Sequence, residues 1–324
     1  MSHEATRALV PRQPWVTAVT ADAVRHFAWG VGDDNPMWHD STQADGSRWG
    51  GLIAPPCLFY AVHETTVAPG HEPARRLYTS VEWVWHDVAP VGALLQGSAT
   101  SISENETPAG IEQVGQVRFT ADGQHVATAR TTCLRTTTAA VSSDERAEVR
   151  YSSDQLADLE ATILAEHRTG ADQLVWEDVA AGTQLGPLLK GPLSIMDVVA
   201  WCAATQGVAQ PADGYSEGGL HAATATGPQQ VAWIAHLLSD WVGDNGFVHR
   251  LAVDIDTNPA LGTTTSITAT VTGKAIVGAV AFVDLDVSAT DQAGALSARG
   301  TAQVALPSRD SGPVTTPIGG DSST

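Results

Sequence analysis

Hydrophobic and polar positions along the chain change period in a fixed order, and they do so twice. A short helix behind a capping residue is predicted for TADAVRHFAWGVG after Thr20, and again for SIMDVVAWCAATQG after Ser194. An irregular stretch follows each. A second helix then starts through proline, at Pro55 in PPCLFYAVHETT and at Gly227 in GPQQVAWIAHLLSDWVG; proline suits a first turn, where its missing N–H had no partner. The latter is apolar on most faces through Val231, Ala232, Trp233, Ile234, Leu237, Leu238 and Trp241, so it must be enclosed. Alternating, β-branched segments close each half: VEWVWHDVAPVGALLQGSATSIS, GQVRFTAD and QHVATARTTCLRT, then LAVDIDTNPALGTTTSITATVTGK, AVAFVDLDVSAT and ALSARGTAQVAL.

These segments predict an α+β chain of two tandem units, each an antiparallel sheet wrapped around a long central helix, the double hotdog architecture. The expected division is a first unit over 1–138, a linker and connecting helix over 139–170, a second unit over 171–307 and a flexible tail over 308–324. The connecting helix is read over Asp154 to His167 from Leu156, Leu159, Ile163 and Leu164, with Ser153 or Asp154 as its cap. The tail is expected because its Pro, Gly, Ser and Thr carry little apolar surface.

A chain of 324 residues, 43 % hydrophobic, is long enough for two such cores. Its 36 acidic and 17 basic residues give a net charge of −19, the wrong sign for nucleic acid or an anionic membrane, although a local basic pocket could still hold a phosphorylated small molecule. No apolar run is long enough to span a membrane, and MSHEATRALVPRQPW has no secretory core, so a cytoplasmic location is expected. Cys57, Cys133 and Cys202 form no CxxC pair and sit among apolar residues, which argues against disulfides and zinc. The WHD runs at His39 and His86 are too short to specify a metal, and no metal or cofactor is expected.

Chemistry concentrates in GDDNPMWHDSTQADGSRWGGLIAPP, from Gly32 to Pro56, where carboxylates, an amide, a proline turn and a histidine follow a helix. This loop resembles the MaoC-like (R)-specific enoyl-CoA hydratases and dehydratases, marked by GDxNPxHxD and a later Gly-x-Ile-Ala-Pro helix start. DDNPMW, SRWGGLIAPP, VWEDVAAG, KGPLSIMDVVAW, GPQQVAWIAHLLSDWVGD and VTGK are similar to a two-copy branch with a FAS1-like dehydratase N-terminal domain. The resemblance implies an Asp and a His that move a proton on an α,β-unsaturated acyl thioester, and a helix-start N–H that polarises its carbonyl.

Asp33 matches the motif aspartate, Asn35 and Pro36 the NP pair and Asp40 the last aspartate, while Trp38 stands where the motif has histidine and His39 is displaced by one. Asp33, His39 and Asn35 are therefore the catalytic candidates, and Trp38 is a pocket wall or core aromatic. Pro56 removes the usual glycine N–H, leaving Cys57 as the nearest donor; Gly227, Gln229 and His221 are the binding candidates of the second unit, whose own acid and base are lost. The expected partner is an acyl-CoA or acyl-carrier thioester, with a homodimer or a second hotdog chain possible. The reactions implied are hydration or dehydration, with thioester hydrolysis on the same scaffold or a non-catalytic binding subunit as rivals.

Overall fold

The computed structural model describes residues 16–71, 75–136, 150–166, 168–172, 174–205 and 224–318. The alternating segments form β1 (Arg75–Trp85), β2 (Leu95–Thr107), β3 (Gly110–Ala121), β4 (Gln124–Thr136), β6 (Phe247–Ile255), β7 (Thr265–Val277), β8 (Val280–Asp291) and β9 (Leu296–Leu306), and a further strand that the pattern did not predict is β5 (Gln184–Lys190). They pair in one antiparallel sheet of order β2-β3-β4-β1-β6-β9-β8-β7-β5. The order 2-3-4-1 thus recurs as 7-8-9-6, and the sequence repeat is a repeat of the fold. The units join where β1 pairs with β6, Ser80 opposite Asp254 and Val84 opposite Arg250.

In the second unit the apolar helix α5 (Gly227–Val242) is enclosed as its sequence requires, with fourteen of its sixteen residues buried. The first unit departs from expectation. In place of a long helix it has a six-residue 3₁₀ turn, Pro56–Ala61. The chain then leaves the helical path to run against the sheet, where His63 meets Gly97 and Val67 meets Gly115; a Cβ at Gly115 would lie 2.4 Å from that of Val67. The helix's place in the core is taken by aromatic rings: Phe59 lies 5.1 Å from Phe119, and Trp83 stacks on Trp85 at 5.4 Å.

Helices α1 (Ala21–Val31) and α4 (Ile195–Thr205) come from different units and pack together, Phe27 5.9 Å from Trp201. Gly30 permits the contact, since a Cβ there would stand 2.5 Å from Ala204 Cβ. The connecting helix is α3 (Ser153–Leu164); its cap is Ser152, one residue earlier than expected, in a reciprocal box with Gln155. None of its residues is buried.

The segment 308–318 does not behave as a flexible tail. Ser308 Oγ donates to Glu177 Oε1 at 2.6 Å, Val314 and Ile318 are buried, and Ile318 N donates to His86 O at 2.7 Å. Backbone bonds and two apolar anchors supply what its composition lacks. Among the described residues no helix is long and apolar enough to cross a membrane.

Candidate active site between the two units

Local rules fix the motif loop. Gly32 takes the left-handed conformation that ends α1, and Asp33 N donates back to Ala28 O at 2.8 Å. Asn35 Oδ1 accepts from Met37 N at 3.1 Å and so starts the 3₁₀ turn Pro36–Trp38. Asp40, the motif's last aspartate, caps α2 (Ser41–Gly46) by accepting from Thr42 N at 2.8 Å. These bonds leave Asp33 pointing inward with 5 % exposure.

Both of its oxygens are engaged. Oδ1 accepts from Asn35 N at 3.0 Å, and Oδ2 accepts from Trp38 Nε1 at 2.8 Å, so an indole N–H stands in the motif histidine's place. A histidine is nevertheless present, supplied by the second unit. His236 Nε2 on α5 lies 3.3 Å from Asp33 Oδ1 and 3.0 Å from Asp240 Oδ2, between the two and squarely aligned with neither. Asn35 Nδ2 donates to Asp240 Oδ1 at 3.2 Å. Lys190 Nζ, at the end of β5, donates to Gly32 O at 2.7 Å and lies 2.8 Å from His236 Nδ1.

Burial dominates the electrostatics. It raises the Asp33 carboxyl against the opposing pull of His236, and raises Asp240 to about 7. It lowers His236 to about 4 and also lowers Lys190. Near neutral pH the imidazole is therefore uncharged, and the Asp240 carboxyl titrates far above the usual carboxylate range. Asp33, His236 and Asp240 place three potential metal-ligand atoms within 4.8 Å. An ammonium at Lys190, which Asp33, Glu166 and Asp240 favour against burial, puts the ring hydrogen on Nε2, the atom that would have to face an ion, and in that state the donor set reads as a proton-handling cluster.

Beside the cluster lies a small cleft open to solvent. Asn35 and Trp38, both of which hold Asp33, line it together with Ile53, Pro56, Trp85 and Ser239. Motif loop, 3₁₀ turn and the C-terminal end of α5 thus share one cavity.

The other expected residues fall elsewhere. His39 is exposed and its ring contacts Asp34 O at 3.0 Å, because it follows the 3₁₀ turn and points away from Asp33. Cys57 is buried, burial raises its thiol strongly, and it is not among the cleft's lining residues. Gly227 is buried at the opposite end of α5, roughly 13.5 Å from His236 by helical rise. A Cβ there would meet the Tyr78 ring at 2.7 Å, so close packing requires the glycine. Gln229, 1 % exposed, lines a second cavity with Gly32, Lys190 and Trp233. His221 lies outside the described residues. His236, Asp240 and Lys190 were missed, although His236 and Asp240 are polar groups one turn apart on a helix otherwise apolar on most faces, and Lys190 is one of two lysines in the chain.

Comparison with solved structures defines the fold class. A MaoC-like dehydratase superposes with a TM-score of 0.67 at 18 % identity, covering 89 % of this chain and 95 % of that one. A MaoC-like dehydratase from Phytophthora capsici gives 0.57 at 14 % identity, covering 91 % and 94 %. A Mycobacterium tuberculosis protein described as a double hotdog gives 0.51 at 13 %, covering 89 % and 93 %. The chain therefore has the double hotdog fold of the MaoC-like proteins. Within it, residues 10–129 match the family model of the FAS1-like dehydratase domain region, which makes the first unit similar to that family over this stretch. The curated proteins yielded no significant sequence match.

Proposed function

We propose that the protein is a hydro-lyase acting on acyl thioesters, adding water to a 2-enoyl group or removing it from a 3-hydroxyacyl group. The observation that carries this reading is the buried carboxylate of Asp33, held in the family's motif loop beside a cleft and provided with a histidine by the other unit. In the dehydration direction a base takes the α-proton and an acid protonates the departing β-hydroxyl; hydration reverses both transfers. Asp33 is assigned the proton transfer, with His236 Nε2 supporting its charge and Asp240 as the second exchangeable site. The acyl thioester is assigned to the cleft along Asn35 and Trp38, and an acyl-CoA is the simplest carrier. Adding short 2-enoyl-CoA esters and following loss of the conjugated-thioester absorbance tests this directly. Turnover by the native protein, lost in Asp33→Asn, is expected; no turnover over several chain lengths would overturn it.

A second reading has one specific observation in its favour. Because Trp38 Nε1 occupies Asp33 Oδ2 and Asn35 N occupies Oδ1, the carboxylate is already satisfied, as suits a unit that binds thioesters without converting them. Calorimetric binding of an enoyl-CoA without turnover would favour that alternative.

A further inference from the structure

Lys190 is 8 % exposed and contacts the cluster from the side of β5, away from the cleft along Trp38. An ammonium has three hydrogens and no lone pair. One hydrogen goes to Gly32 O at 2.7 Å, and the same nitrogen stands 2.8 Å from His236 Nδ1. Nδ1 must then present its lone pair, and the neutral ring carries its hydrogen on Nε2, towards Asp33 Oδ1 and Asp240 Oδ2. The opposite tautomer would leave Nδ1–H facing an ammonium; on the other side of the ring the Asp240 carboxyl, raised to about 7 by burial, accepts from Nε2–H when ionised and donates to a bare Nε2 when protonated, so it does not choose the tautomer by itself. We propose that Lys190 is a positioning residue for the hydro-lyase reaction: it holds His236 in the Nε2–H tautomer, so that the imidazole supports an ionised Asp33.

This inference rests on Asp33 as the proton-transfer group, but its geometry stands independently of the substrate. Five other charged or titratable groups act on the same site. Asp33 and Asp240 face the imidazole, Glu166 Oε1 accepts from Leu189 N beside Lys190, and Arg168 lies 3.6 Å from Asp34 near the mouth of the loop. A lysine that merely balanced buried negative charge would leave the tautomer to the carboxylates alone. The two roles therefore separate experimentally.

The test is ¹⁵N spectroscopy of histidine-labelled full-length protein, with His236 assigned by its loss in His236→Gln, combined with kinetics of Lys190→Met. In the native protein near pH 7, Nδ1 of His236 should resonate as an unprotonated nitrogen and Nε2 as a protonated one. In Lys190→Met the tautomers should mix, kcat on an enoyl-CoA should fall about 10²-fold with KM changed less than about twofold, and the acid limb of the kcat profile should move to higher pH, because a cation that favours the Asp33 carboxylate is gone. An Nδ1–H tautomer in the native protein, or an unchanged tautomer and pH midpoint in Lys190→Met, would overturn the proposal. Should the variant fail to fold, the native spectrum still decides. Should the native protein show no turnover, the hydro-lyase reading fails while the tautomer is decided separately.

Discussion

At the scale of single residues, the cluster couples folding to pH through two opposed shifts. Asp240 is raised to about 7 in the folded state, so its contribution is full below its unfolded value and is lost as pH rises through about 7. His236 is lowered to about 4, so its contribution is present above its unfolded value and is lost as pH falls towards about 4. The two largely offset one another between those limits. Asp240→Asn removes the first, and urea unfolding of this variant relative to the native protein should show stability falling on acidification by an extra amount on the order of 3 kcal/mol. An unchanged pH slope would contradict the assignment. Trp38→Phe keeps the ring but removes the N–H, leaving Asp33 Oδ2 short of a partner in a buried site; a loss of about 1–3 kcal/mol is expected by the same measurement. Asp33 and Asn35 were legible in the sequence because the motif is continuous there. His236 was not, since its partner lies in the other unit and its neighbours on α5 mark that helix as core.

At the scale of elements, the contact of α1 with α4 carries the motif loop to α5. Gly30 faces Ala204 there, and Gly30→Ala should destabilise the protein although alanine is the better helix former, because the added methyl meets a Cβ at 2.5 Å. Ala204→Gly in the same chain should restore part of the loss, and thermal unfolding of the single and double variants checks this coupling. Every strand but β5, and four of the five expected helices, were legible because period and caps agree with tertiary packing. The first unit's central helix was not. PPCLFYAVHETT carries an acceptable helix start, but whether the chain continues past Ala61 is decided by contacts to Gly97 and Gly115, residues distant in sequence. The segment 308–318 was misread for a related reason: composition reports what a segment can bury by itself, whereas Ile318 is held by hydrogen bonds to His86, more than two hundred residues earlier.

At the scale of the whole molecule, two copies of one fold contribute unequally to the proposed site. The first unit supplies the motif loop and most of the cleft lining, while the second supplies the long helix with His236 and Asp240, and β5 with Lys190. Sheet continuity through β1 and β6 holds the two contributions in register. Loss of the second unit's own acid and base made an unequal division foreseeable, but nothing in the sequence says that the histidine crosses from one copy to the other. The most direct test of that crossing is a kinetic double-mutant cycle on an enoyl-CoA with Asp33→Asn and His236→Gln. Each single variant should lose about 10²-fold or more in kcat/KM, with the double variant little worse than the poorer single one, as for groups acting as a unit. Near-native activity in either single variant, or losses that multiply as independent effects, would contradict a cluster working across the two units.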